Sequence, residues 1–137
     1  MNLRDAELEQ HDYRSRSVRE ALGGEQLGCT LYEIGAGEQL WPYHFHWNND
    51  EWLLVVAGTP RLRTPAGERD LRPGDLVSFP EGEAGAHTLF GPGRLAIFST
   101  RNQGSVDYPD SGKIGAGPPW DRLYFRRADA VGYWEGE

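Results

Sequence analysis

Three of the four histidines lie where predicted β-strands could bring their side chains to one point. His11 is separate from the others, whereas His44, His46 and His87 lie in or beside short apolar segments. Side chains alternate along a strand, so His44 and His46 point to the same face with Cα atoms about 6.5–7 Å apart. Two imidazoles at this spacing can bind one metal ion if neighbouring strands supply further ligands about 2.0–2.2 Å from it. The pattern predicts a metal site.

A carboxylate follows the histidine pair after a short polar turn. Residues 48–50, Asn-Asn-Asp, indicate a hairpin, so we expect the next strand to run antiparallel beside the histidine strand. Strand alternation does not choose between Asp50 and Glu51 as the oxygen ligand, because residues 53–56 are apolar on both faces. His87 follows a second turn at residues 82–85. A single strand histidine is usually a hydrogen-bonded core residue, but this combination favours a metal site.

Short strands separated by glycine- and proline-rich turns are predicted to position these residues. The predicted strands are residues 26–34, 39–47, 52–57, 61–64, 69–71, 76–79, 86–90 and 94–100. Many short strands without a long amphipathic helix are typical of an all-β sandwich, jelly roll or barrel. Before them, Ser17 and Glu20 are spaced as a capping box and predict one helical turn.

The spacing of these residues resembles the two sequence motifs of the cupin superfamily. Those motifs are Gly, His-x-His, Glu, Gly and then Gly, Pro-x-Gly, His. The matching residues here are Gly37, His44, His46, Glu51 and Gly58 for the first motif, and Gly74, Pro80, Gly82 and His87 for the second. The resemblance implies that Glu51 rather than Asp50 is the oxygen ligand. It also implies a double-stranded β-helix, a jelly-roll-like cupin barrel, with the metal on His44, His46, Glu51 and His87.

The chain departs from the motifs in three places. One extra residue separates Gly37 from His44, two extra residues separate Gly82 from His87, and Gly91 stands where the family often has Asn. Insertions in turns need not move the ligands. Residues 107–113 and 125–127 resemble a subgroup of small, single-domain bacterial cupins of the cupin 2 type, whose activity is unassigned.

Three nitrogen ligands and one oxygen ligand leave open positions on a metal ion, which makes it available to chemistry. We expect a divalent transition metal: Fe, Mn, Ni, Cu or Zn. The predicted function is a metal-dependent enzyme of dioxygenase, isomerase or decarboxylase type acting on a small oxygen-rich substrate. The alternative is a non-catalytic binding or sensory module for a small sugar or acid. Residue type alone does not choose a general base among Tyr32, Glu33, Tyr43 and Glu81.

The length of 137 residues predicts a single domain, 1–137, with its barrel core at about 26–100. Residues 1–25 form an N-terminal extension and residues 101–137 a C-terminal tail. The aromatic content of the tail predicts that residues 120–134 pack on the barrel or on a second subunit. The aromatic residues Trp41, Tyr43, Phe45 and Trp47 alternate with the histidines, so we expect them on the opposite face. Cover by another strand layer, the tail or a homodimer partner is expected there.

The composition limits the partners that we expect. The net charge of −7 argues against nucleic acid, because phosphate backbones attract clustered Lys and Arg. Arg61 and Arg63 share a strand face and could contact an anion, but a solvent-facing position is the simpler interpretation. The single Cys29 excludes an internal disulfide, and no segment predicts a signal peptide or a membrane span. We therefore expect a cytoplasmic homodimer with a small-molecule ligand.

Overall fold

The fold consists almost entirely of short β-strands. The computed structural model describes residues 1–102, 104–118 and 121–137. The strands are β1 (Glu9–Gln10), β2 (Arg14–Ser17), β3 (Gly28–Ile34), β4 (Gln39–His46), β5 (Glu51–Gly58), β6 (Arg61–Thr64), β7 (Gly67–Asp70), β8 (Leu76–Phe79), β9 (His87–Phe90), β10 (Gly93–Ser99), β11 (Val106–Tyr108), β12 (Lys113–Ala116) and β13 (Leu123–Arg126). One helix, α1 (Val18–Leu22), and 3₁₀ turns at Glu83–Gly85 and Arg127–Asp129 complete the described elements.

The strands form two antiparallel sheets. The first sheet has the order β1-β2-β3-β10-β5-β8, and the second has the order β13-β12-β11-β4-β9-β6-β7. Consecutive strands frequently belong to different sheets, so the chain crosses repeatedly from one sheet to the other. This topology is the jelly-roll-like barrel of a double-stranded β-helix, and it confirms the all-β prediction.

The main core lies between the two sheets and contains buried residues from both. Leu53 and Leu95 project from the first sheet, and Leu40, Leu62 and Leu89 project from the second; all five are fully buried. Burying one such side chain stabilises the fold by about 1.5–3 kcal/mol. The core therefore holds the sheets at a fixed separation, which matters because the predicted ligands are divided between them.

The N-terminal extension adds β1 and β2 to the edge of the first sheet and packs its apolar residues against the outer face of that sheet. Val18 of α1 is buried there with Leu31 and Ala96, and Leu3 and Leu8 pack against the same cluster. Ser17 caps α1, since its Oγ accepts a 3.2 Å hydrogen bond from the Glu20 N–H. The single helical turn that the capping box predicted is confirmed.

The predicted hairpin at residues 48–50 is wrong in one respect. Strands β4 and β5 run on either side of this turn, but they are not hydrogen-bonded neighbours, because they lie in different sheets. Both edges of β4 are already paired, with β9 and β11, and both edges of β5 are paired with β8 and β10. The turn therefore carries the chain across the barrel instead of closing a hairpin.

The C-terminal tail packs on the barrel, as predicted, by extending the second sheet. Strand β11 pairs with β4, and β12 and β13 add two further strands at the same edge. The side chains of β13 are exposed, and beyond it Tyr133 and Trp134 are 87% and 78% exposed. Of the segment predicted to pack back, Trp120 lies outside the described residues. Packing of this tail on a second subunit stays a prediction.

No helix among the described residues has the length and apolarity that crossing a membrane requires.

Candidate metal centre

Two histidines face each other across neighbouring strands of the second sheet. In the antiparallel pairing of β4 with β9, His44 is the direct partner of His87, and their ring centroids are 4.7 Å apart. Both side chains are buried. His46, two residues along β4, points to the same face, and its Nε2 lies 3.2 Å from Nε2 of His44. Three imidazoles therefore meet on the inner surface of the barrel.

Backbone carbonyls fix the orientation of two of these rings. Nδ1 of His44 lies 2.8 Å from the Pro42 carbonyl oxygen, and Nδ1 of His87 lies 2.8 Å from the Gly85 carbonyl oxygen. A carbonyl oxygen only accepts, so each Nδ1 carries the proton and donates it. The Nε2 atom of each ring is then left with a free lone pair, which is the arrangement that metal-binding histidines adopt.

The carboxylate comes from the opposite sheet. Glu51 is the first residue of β5, and its Oε2 lies 3.3 Å from Nε2 of His46 and 3.6 Å from Nε2 of His87. Asp50 is exposed and points elsewhere, because its Oδ1 accepts a hydrogen bond from the Glu81 N–H at 3.3 Å. The structure thus brings Glu51, and not Asp50, to the three histidines.

The donor atoms have the spacing that a metal ion requires. The ligand atoms of His44, His46 and Glu51 all lie within 4.8 Å of one another, and His87 is adjacent through Glu51. Two ligands in neighbouring positions on an ion with bonds of about 2.1 Å lie about 3.0–3.4 Å apart. In addition, Nε2 of His87 is buried without a hydrogen-bond partner in the described structure. An orphaned buried acceptor is costly, so the residues fit a bound cation.

The electrostatics of the cluster favour the protonation states that bind metals. Burial, together with the nearby His87 and His46, lowers the pKa of His44 to about 3. Burial also lowers the pKa of His87. Burial alone would raise the pKa of Glu51, but the hydrogen bond from His46 and the surrounding imidazoles outweigh it and lower that pKa. At neutral pH the buried imidazoles are neutral and Glu51 is ionised.

The site opens into a cavity of about 450 Å³. We call the part lined by His44, His46 and Glu51 the metal-site end, and the part lined by residues of the C-terminal tail the outer end. The lining residues are Tyr13, Thr30, Tyr32, Trp41, Pro42, His44, His46, Glu51, Ile97, Ser99, Val106, Tyr108, Lys113, Arg122 and Tyr124. A cavity of this size and mixed polarity is typical of small-molecule sites.

The prediction that all four aromatic residues of β4 and its flank face away from the histidines is wrong for Trp41. Its φ is +57°, and the pairing of β4 with β9 shifts between Leu40 and His44. This bulge interrupts the alternation, so Trp41 lines the cavity with its ring edge-on to His44 and His87. Tyr43 and Phe45 follow the prediction and are buried on the other face.

The cover over that other face is made within the chain. The Arg63 guanidinium lies 4.1 Å above the Tyr43 ring, and Trp47 packs edge-on against Phe45. Trp47 is half exposed, and its Nε1–H donates a 2.8 Å hydrogen bond to Asp107. Arg63 forms an ion pair with Asp110, and Arg61 pairs with the exposed Glu68. Neither arginine lines the metal cavity.

Of the four general-base candidates, only Tyr32 lines the cavity. Burial raises the pKa of Tyr32 to about 12, so its hydroxyl is protonated and donates hydrogen bonds at neutral pH. Glu33 forms ion pairs with Arg14 and Arg94. Glu81 accepts a 2.9 Å hydrogen bond from the Asn48 N–H, away from the cavity.

Sequence reasoning missed the residues at the outer end of the cavity. These residues come from the C-terminal tail and are Tyr108, Lys113, Arg122 and Tyr124. The sequence offered one signal, which is that Lys113 is the only lysine of the chain. Its spacing from the histidines, however, does not indicate that it lies near them. Long-range strand pairing places it there.

Comparison with known proteins shows strong likeness in structure. A sugar phosphate isomerase of the cupin superfamily from Silicibacter pomeroyi superposes with a TM-score of 0.78 at 24% identity, covering 85% of this chain and 77% of that one. A proposed sugar phosphate isomerase from Acidithiobacillus ferrooxidans gives 0.79 at 26%, covering 88% and 80%. A polyketide cyclase from Streptomyces resistomycificus gives 0.55 at 22%, covering 72% and 74%. No family model and no curated protein sequence matches the chain.

The fold and the cluster define a class: a double-stranded β-helix barrel with a candidate metal centre of three histidines and one glutamate on its inner surface. Two of the similar structures are described as cupins, namely the isomerase from Silicibacter pomeroyi and a barrel-domain protein from Salinispora arenicola. The chain has the barrel fold of the cupin superfamily, which is the fold that the two sequence motifs implied.

Proposed function

We propose that this protein binds one divalent transition metal through His44, His46, Glu51 and His87 and acts as a metal-dependent isomerase on a small hydroxy-carbonyl compound. The observation that carries the proposal is Nε2 of His87, a buried acceptor without a partner, 3.6 Å from Glu51 within the imidazole cluster. Two of the similar structures support this reaction class, because each covers more than four fifths of this chain and each is described as a sugar phosphate isomerase, in one case a proposed one.

The cavity residues contribute binding and orientation. A bound metal would supply a Lewis acid that polarises the substrate oxygens. The carbonyls of Pro42 and Gly85 hold His44 and His87 in the orientation that leaves Nε2 available. Trp41 provides an apolar wall beside both rings, and the protonated Tyr32 hydroxyl is a donor for a substrate oxygen. Together these groups limit the positions that a small substrate can take.

Metal analysis tests the centre directly. Protein purified without a histidine tag is expected to hold about one equivalent of a transition metal by elemental mass spectrometry. The variant His44→Ala/His46→Ala removes two of the four donors and is expected to hold almost none. His11→Ala is the matched control, because His11 is exposed and lies outside the cluster. Equal metal content in the wild type and the double variant would show that the cluster is not the metal site.

One observation favours a second candidate, a binding or sensory module without turnover. Among the described residues that line the cavity, Glu51 is the only carboxylate, and as a metal ligand it is not available as a base. Proton NMR of the metal-loaded protein with aldose–ketose pairs in D₂O separates the two functions. An isomerase interconverts the pair at a rate that falls in Glu51→Gln. Saturable binding without interconversion in the wild type would contradict the isomerase function and support the binding or sensory module.

A further inference from the structure

The outer end of the metal cavity carries two positive charges. Lys113 of β12 places its Nζ 5.4 Å from the Tyr108 ring centroid and 5.9 Å from that of Tyr124. Arg122, just before β13, lines the same cavity. The Tyr108 ring stacks on His44 with centroids 6.0 Å apart, so one tyrosine contacts both the ammonium and the metal cluster. A single small molecule can therefore reach both ends.

Neither cation makes an ion pair with a residue that the structure describes. Two acidic residues that precede Lys113 in sequence are already engaged: Asp107 of β11 pairs with Arg127, and Asp110 makes a bidentate pair with Arg63. Nε of Arg122 is buried and has no hydrogen-bond partner among the described residues. A buried guanidinium N–H without an acceptor is costly, so the site is short of an anion.

We propose that Lys113 and Arg122 form a subsite for a phosphate monoester group of the substrate, so that the phosphate lies at the outer end of the cavity while the metal holds the oxygens of the reacting end. This inference rests on the proposed function, since it names the substrate class of the same cavity. Arginine and lysine are the side chains that proteins use to bind phosphate.

The charge balance favours a dianion over a carboxylate. Apart from the metal ligand Glu51, the described charged side chains that line the cavity are Lys113 and Arg122, so the outer end carries a charge of about +2. A phosphate monoester carries about −1.5 to −2 at neutral pH, whereas a carboxylate carries −1. Because the whole chain has a net charge of −7, an anion reaches the cavity only where this local excess outweighs the general repulsion.

The surrounding groups are suited to the oxygen atoms of phosphate. Tyr108 and Tyr124 line the same outer end, and a tyrosine hydroxyl can donate a hydrogen bond to a phosphate oxygen. Gly115 leaves room for the Arg122 side chain. A Cβ on this residue would lie 2.9 Å from Cδ of Arg122 and 3.1 Å from Cε1 of Tyr124. The absence of a side chain on β12 therefore lets Arg122 lie close against the strand.

Calorimetric titration with inorganic phosphate at about pH 8 and low ionic strength tests the subsite. The wild type is titrated as purified and again after metal removal with EDTA, so that phosphate binding to the metal is separated from binding to the cations. In both states, Lys113→Gln and Arg122→Gln are each expected to weaken binding about tenfold, which is the effect of losing one charge-assisted contact. Arg69→Gln is the matched control, because it removes one exposed arginine charge outside the cavity.

Each outcome decides the proposal. Phosphate binding that falls in both cavity variants and not in Arg69→Gln supports it. Absence of phosphate binding, or equal binding in all variants, overturns it. Acetate binding as tightly as phosphate, with the same dependence on Lys113 and Arg122, overturns the phosphate assignment and indicates a carboxylate ligand. The metal content of the same samples separates this inference from the proposed function. If the protein holds its metal but does not bind phosphate, the phosphate subsite is contradicted and the proposed metal site is not.

Discussion

The two ends of the cavity are built in different ways. At the metal-site end, His44 and His87 project from the neighbouring interior strands β4 and β9, Glu51 projects from β5 of the other sheet, and backbone carbonyls hold both of these histidine rings. At the outer end, Lys113 and Arg122 have long, half-buried side chains, one on β12 near the edge of the second sheet and the other just before β13. The metal-site end is therefore pre-organised by the core, whereas the outer end keeps freedom to adjust to a ligand.

This difference suits the two tasks that we propose. A metal ion accepts only a narrow range of bond lengths and angles, so its ligands must be fixed by the fold. A phosphate group accepts hydrogen bonds from many directions, and mobile cations bind it without a fixed geometry. Two glycines allow the comparison to be tested, because each lies beside one end and each would bring an added Cβ too close to its neighbours.

The largest effect is expected from Gly85→Ala at the metal-site end. The added Cβ would lie 1.8 Å from the Pro80 carbonyl oxygen and 3.0 Å from the Phe79 carbonyl carbon. These are backbone atoms that cannot move independently, and the Gly85 carbonyl itself holds His87. We expect a loss of about 2–4 kcal/mol in the free energy of unfolding, measured by urea denaturation.

Gly132→Ala is the control for this substitution, since a Cβ there has no heavy atom within 4 Å among the described residues and Gly132 does not have a positive φ. It should change the free energy of unfolding by less than about 0.5 kcal/mol. If Gly85→Ala were as stable as this control, the segment that carries His87 would be as adaptable as the outer end, and the comparison would fail.

The next effect in size separates two adjacent carboxylates. Glu51→Gln removes a charged donor and is expected to weaken metal binding about a hundredfold, which corresponds to about 2.7 kcal/mol. Asp50→Asn changes an exposed carboxylate that faces the Glu81 backbone, so metal affinity should stay within about twofold. Competition with a chromogenic chelator measures both affinities. A comparable loss in the two variants would contradict the assignment of Glu51 as the ligand.

The placement of two of the predicted ligands follows from local periodicity in the sequence. Alternation alone places His44 and His46 on one face, and the structure agrees. The choice of Glu51 over Asp50 required the motif resemblance, because the turn before Glu51 crosses between sheets and is not a hairpin. The orientation of Trp41 was not predicted, because a bulge with a positive φ reverses the side-chain alternation there. The available signal was Pro42, since proline within a strand is found mainly at edges and bulges.

The outer end could not be predicted in the same way. The place of Lys113 depends on β11 pairing with β4 and on β12 pairing with β11, two contacts between segments far apart in sequence or joined by a turn. Binary patterning assigns a strand to a face but does not choose its neighbour. The aromatic content of the tail correctly indicated that it is not a free linker, since β11 to β13 extend the sheet, but not that these strands contribute to the cavity.

The smallest effect is expected from Gly115→Ala at the outer end. Here the added Cβ would meet side-chain atoms of Arg122 and Tyr124 at 2.9 and 3.1 Å, and both side chains can move aside. Stability should therefore change by less than about 1 kcal/mol, while the displaced guanidinium should weaken phosphate binding about threefold. Metal affinity should be unchanged, because none of the four ligands contacts Gly115. A stability loss as large as that of Gly85→Ala would show that the outer end is as rigid as the metal site, and the mobile-cation account of phosphate binding would then be wrong.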